Sequence, residues 1–210
     1  MYSARKPYEF KRGIVTKSNG NGDGSLENLS EKAYEIARRR QAAANEAVAM
    51  LEEQYETTFQ SRAASLLQAA AWLAGNSLRR SFEADGGAPS ELPAGAAGSD
   101  EQAKLMKAFM FLVSRYGIEL KPEEYSAPVP MEQQTRLTTG DIEEAFASRY
   151  DEIMQKHGFD LADGARTGAV VCARLVKIHC ANRNDLEPRV AASIVRMGFV
   201  EGETGDGREP

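Results

Sequence analysis

The sequence predicts an all-α fold: a multi-helix bundle of about six helices, with a long N-terminal helix open to a kink and with flexible termini. Three observations carry this expectation. The stretch 26–82 holds no proline and no glycine before Gly75, and is filled with the residues that lose least on entering a helix. Apolar residues recur at intervals of three and four in each periodic segment, the spacing of one helix face. Cap and stop residues stand at the ends of those segments.

Residues 1–25 read as a flexible basic arm. Arg5, Lys6, Lys11, Arg12 and Lys17 stand against Glu9 and Asp23, and a glycine-rich tether follows. The alternative is an arm that docks on a neighbouring subunit.

Residues 26–82 form the long helical element. Asn28 with Glu31 has the form of a capping box, and Ser25 is an alternative cap. The apolar stripe runs through Leu29, Ala33, Ile36, Ala37, Ala43, Ala44, Ala47, Met50, Leu51, Tyr55 and Phe59. Unbroken, the element would reach about 80 Å at roughly 1.5 Å per residue, longer than a globular domain. Thr57 and Thr58 are its weakest point, because β-branched residues lose rotamer freedom in a helix. Two helices, or one kinked helix, are therefore expected. The second half is apolar nearly all round, which marks 63–78 as a buried central helix with Trp72 as a core anchor. Arg79 and Arg80 fall in its last turn, where cations suit the helix dipole.

Residues 83–100 read as a Pro/Gly linker. Residues 101–200 are the bundle portion expected to pack on 60–82. Ser99 with Gln102 caps a helix that Gly117 ends, with Leu105, Met106, Phe109, Met110, Leu112 and Val113 as its stripe. Pro122, Pro128 and Pro130 mark the loop 117–138. Thr138 with Asp141 caps a helix to His157, stopped by Gly158.

Asp160 with Asp163 opens a helix through about Ala181. On it Gly164, Gly168 and Cys172 fall four apart. A helical glycine costs roughly 1 kcal/mol against alanine, and close packing of another helix explains the cost. Ala71 and Gly75, also four apart, are the expected partners. The final helix is capped by Asn184 or Asp185, carries Pro188 in its first turn and is closed by Gly198. Residues 201–210 read as a disordered acidic tail.

Composition and motifs exclude most chemistry. A net charge of −5 gives no reason to expect a nucleic-acid or anionic-membrane partner. No apolar window is long enough to span a bilayer, and the first residues have no apolar core like that of a secretory signal. The sparse cysteines, Cys172 and Cys180, fit a reducing compartment, so a cytoplasmic location is expected. No metal site or cofactor is expected. His157 and His179 form no metal-binding pair, and Cys172 lies roughly 10.5 Å along a helix from His179, too far to share an ion. No nucleophile elbow or phosphate-cradling loop is present. Both cysteines read as small buried hydrophobes, and His179 as a satisfied helix histidine.

These readings favour a non-catalytic interaction or assembly module that self-associates into a homo-oligomer, or meets another protein. An alternative is a helical small-ligand binder or enzyme with a pocket near Trp72, Asn76, Ser77, Arg79 and Arg80, walled by Phe109, Phe111 and Tyr116. A third is nucleic-acid binding through the arm and Arg38, Arg39 and Arg40. Three consecutive residues span about 200° of a helix, so they make no flat basic face.

Overall fold

The computed structural model describes residues 23–58, 63–86, 100–126, 128–135 and 137–205. The arm over 1–22, the linker over 87–99 with the Ser99 cap, and the chain beyond Gly205 lie outside the described residues. The chain divides into two units, Met1–Glu35 and Ile36–Pro210. The described part of the first is helical, and its residues 30–35 are exposed. The core belongs to the second.

The fold is all-α, and no strand occurs among the described residues. Among the described residues six helices carry it: α1 (Asp23–Thr58), α2 (Ala63–Ala84), α3 (Asp100–Arg115), α4 (139–156), α5 (161–182) and α6 (Pro188–Thr204). Short 3₁₀ turns at Pro122–Ser126 and Met131–Gln133 punctuate the loop between α3 and α4. α1 begins at Asp23, so Asn28 lies within the helix rather than at its cap. It is described as far as Thr58, and α2 from Ala63, with 59–62 outside the described residues.

α2 is the centre. Every residue from Ala64 to Leu78 is buried, because α2 packs on α6 and α5 at once. Small residues make both crossings close. A Cβ built on Gly202 would fall 2.2 Å from the Trp72 carbonyl oxygen, and one on Gly75 would fall 2.4 Å from that of Phe199. One on Gly198 would meet Ala71 Cβ at 2.6 Å. Here backbone lies on backbone, and any side chain would hold the helices apart.

Two sequence expectations change at this point. On α2 the nearest neighbour of Gly168 is Ala74, where its added Cβ would come within 2.5 Å, in place of the expected Ala71 or Gly75. Gly164 stands beside Ser77, and Cys172 is fully buried. Ala71 and Gly75 meet α6 instead. Nor does Gly198 stop the last helix. α6 runs on to Thr204 and ends at Gly205, whose φ of 70° is the left-handed stop. The expected tail over 201–210 thus begins as helix, because Gly202 is needed against α2.

The remaining helices close the bundle. α3 buries Leu105, Phe109 and Val113, a narrower stripe than expected, while Phe111 is 63% exposed. α4 opens with the expected capping box: Thr138 Oγ1 accepts from Asp141 N, and the Asp141 carboxylate accepts from Thr138 N. It widens into a π turn over Glu143–Ala147 and buries Phe146, Tyr150 and Ile153. The buried Tyr150 hydroxyl donates to the Gly164 carbonyl at 2.7 Å, tying α4 to α5. Its phenol pKa is pushed far above the ordinary range by burial.

α1 lays Ala43, Ala44, Ala47, Met50, Leu51 and Tyr55 against the core. Polar links hold it in register. Arg40 pairs with Asp163 at 2.5 Å, and Glu46 accepts from Lys156 at 2.7 Å and meets His157 at 3.0 Å.

Candidate ligand cleft

The residues expected at a pocket do not converge. Trp72 is 3% exposed and lies beneath α6, the reason Gly202 has no room for a side chain. Asn76 accepts from Arg79 at 2.7 Å, and Arg79 also pairs with Glu83 at 2.9 Å. Ser77 and Arg80 point elsewhere, into a groove of about 320 Å³ between α2, α4 and the start of α5. Arg80 is spent there on Asp151 at 2.7 Å, and both polar ends are satisfied.

The arginine run turns inward in part. Arg39 donates to the His157 carbonyl at 3.3 Å, and the Arg39 and Arg40 guanidinia stack on the Phe159 ring at 5.5 and 5.4 Å. With Arg40 on Asp163, two of the three consecutive arginines hold α1 to the segment 157–163.

A different constellation forms at the end of α5. The helix widens there into a π turn, Lys177–Asn182. π turns sit preferentially at functional positions, because they re-aim a side chain. Asn184 follows in the left-handed region at φ 57°, a conformation asparagine tolerates better than most residues. The two features fold the chain back so that Asp185 meets His179 twice. The Asp185 N–H donates to the His179 carbonyl at 2.7 Å, and the Asp185 carboxylate lies 3.0 Å from His179 Nδ1.

This double contact settles the polarity of the ring. A carboxylate only accepts, so Nδ1 carries the hydrogen and, in the neutral imidazole, Nε2 is left as an acceptor. His179 is 2% exposed, and Nε2 has no hydrogen-bond partner among the described residues. The expectation of a satisfied helix histidine therefore holds for one nitrogen only.

The ring lines a cleft of about 370 Å³ with Glu132, Gln133, Arg183, Asp185 and Leu186, and with Ala63 and Ala64 of α2. Gln133 Oε1 is the second buried atom in this wall without a partner among the described residues. Buried polar atoms are paired in the great majority of cases, so two orphans on one cleft are informative. Arg183 leans away toward Glu52 at 3.8 Å.

The other reactive groups nearby are quiet. Burial, with the Asp185 charge adding to it, pushes the Cys180 thiol up to about 12. Burial raises Cys172 as well. Neither forms a thiolate near neutrality. Among the described residues no group of three or more His, Cys, Asp or Glu is placed to hold a metal ion. No described helix is long and apolar enough to cross a membrane.

Sequence reasoning missed Gln133 and Asp185 as site residues. The available signal is Asn184-Asp185 just past a histidine-bearing helix end, a pair that in sequence alone looks like a helix cap. The cap of α6 is Glu187, with Pro188 as its first residue.

The chain matches no family model, no curated protein and no solved structure.

Proposed function

We propose that the protein is a helical binding protein for a small polar molecule, and that the cleft around His179 is its site. One observation carries the reading: His179, a buried imidazole oriented by Asp185, and Gln133 line one cleft, and His179 Nε2 and Gln133 Oε1 are both buried with no hydrogen-bond partner among the described residues. A volume of about 370 Å³ suits a small molecule. The test is a ligand-observed NMR screen of small polar fragments against the protein and its His179→Asn variant. Asparagine can keep the donor to Asp185 but lacks an atom in place of Nε2. Fragments that bind the parent and are lost in the variant support the reading. A screen in which every hit survives in the variant removes it.

A second reading, self-association, is favoured by the exposure of α1. Residues 30–38 are exposed on every face, with Tyr34 72% and Ile36 38% accessible. Large apolar side chains at such positions suit a helix that meets a partner. Sedimentation equilibrium decides this: a multiple of 22.9 kDa supports assembly, and a monomer at all concentrations ends it.

A further inference from the structure

The chemistry of the cleft selects among small molecules. This step rests on the proposed site being a ligand site, and it concerns what that ligand must carry.

Three features of the wall agree. Asp185 takes the Nδ1 hydrogen, so when the His179 ring is in its neutral form the other nitrogen accepts and does not donate. The second orphan, Gln133 Oε1, is also an acceptor. A glutamine amide can turn end for end, so the imidazole, fixed by its carboxylate, decides the polarity. Among the described residues the charged side chains of the cleft are Glu132, Asp185 and Arg183, and Arg183 lies 3.8 Å from Glu52. An acceptor with no partner in a negatively biased wall is completed by a group that brings N–H donors and positive charge together.

We infer that the cleft takes a primary ammonium group, as in an alkylamine or the amino end of a larger amine. The ammonium donates one hydrogen to His179 Nε2, and a second hydrogen faces the Gln133 oxygen. The remaining charge is balanced by the carboxylates of the wall. The apolar rim of Ala63, Ala64 and Leu186 leaves a short alkyl chain as the natural continuation. Arg183, which also borders the cleft, would favour the opposite charge. That contest makes the experiment decisive.

The test titrates the full chain with butylammonium, tetramethylammonium and butyrate, reading amide shifts by NMR and heat by calorimetry. Butylammonium should bind in the millimolar range, about tenfold or more tighter than tetramethylammonium, which has the charge but no N–H to give. The His179→Asn variant, shown folded by circular dichroism, should weaken butylammonium by about tenfold or more. If that variant does not fold, the comparison of the three ions on the parent protein decides alone. Binding of butyrate in preference to butylammonium overturns the ammonium assignment but leaves the cleft a ligand site, gripped by Arg183. Equal binding of butylammonium and tetramethylammonium overturns the donor argument. No binding of any of the three, with no fragment hits, removes both the inference and the reading beneath it.

Discussion

Replacing Gly202 with alanine should destabilise the protein, although alanine is the better helix former. The added Cβ would lie 2.2 Å from Trp72 O, 2.7 Å from Asn76 N and 3.0 Å from Gly75 Cα. All three neighbours are backbone atoms, so no side chain can swing aside. Ordinary contact begins near 3.4 Å, and 3.4 minus 2.2 leaves 1.2 Å by which α2 and α6 must part. Overpacking of this kind costs about 1–3 kcal/mol, and a rigid backbone wall places it at the upper end. The gain from removing a helical glycine returns about 1 kcal/mol. The net loss is then about 2 kcal/mol, which for a chain of this length lowers the melting temperature by about 4–8 °C. Gly140→Ala is the control, because its Cβ would meet nothing closer than Thr138 Oγ1 at 3.8 Å. That variant should be neutral or stabilised by up to about 1 kcal/mol. Thermal unfolding followed by far-ultraviolet circular dichroism measures both. A Gly202→Ala variant that melts at or above the parent temperature would refute the backbone-on-backbone crossing.

Three further outcomes follow from particular contacts. Tyr150→Phe removes the buried donor to the Gly164 carbonyl and should cost about 1–1.5 kcal/mol in urea unfolding; an unchanged midpoint would mean that the hydroxyl ties nothing. Cys172 and Cys180 should resist iodoacetamide in the native protein and react fully in guanidinium chloride, since both are buried and their pKa values are raised; rapid native alkylation would contradict that burial. Glu46 has its pKa lowered below 4.5, chiefly by the Lys156 hydrogen bond and then by His157. A depressed folded pKa contributes stability above the unfolded value that is lost as pH falls through the folded one. Glu46→Gln should therefore cost less than about 1 kcal/mol near neutrality, for a partly exposed pair, and the gap to the parent should close in acid. A gap that widens in acid would reverse the sign of that linkage.

The helices were legible because their signals are local. Thr138 with Asp141 and Asp160 with Asp163 cap helices where the sequence places them. The expected break near Thr57 and Thr58 adjoins residues 59–62, which lie outside the described residues. Small-residue spacing gave the presence of close crossings but not their pairing. Ala71 and Ala74 stand three apart, on neighbouring rows of one side of α2, and only the packed bundle decides which of them receives Gly168 and which Gly198. Gly198 misled for the same reason: a glycine that ends a helix and one that seats a neighbouring backbone look alike in one sequence. The cleft was the least legible part. Six residues along a regular helix place His179 and Asp185 about 9 Å apart, beyond any hydrogen bond. Only the π turn and the left-handed Asn184 bring them together. Gln133 comes from a distant loop with no periodicity of its own.

The most direct test of the cleft is the tautomer of His179, read from long-range proton–nitrogen correlations of the ¹⁵N-labelled imidazole in its neutral form. A hydrogen on Nδ1, with Nε2 bare and shifting when butylammonium is added, is the predicted result. A hydrogen on Nε2, or an Nε2 signal indifferent to the amine, would contradict it.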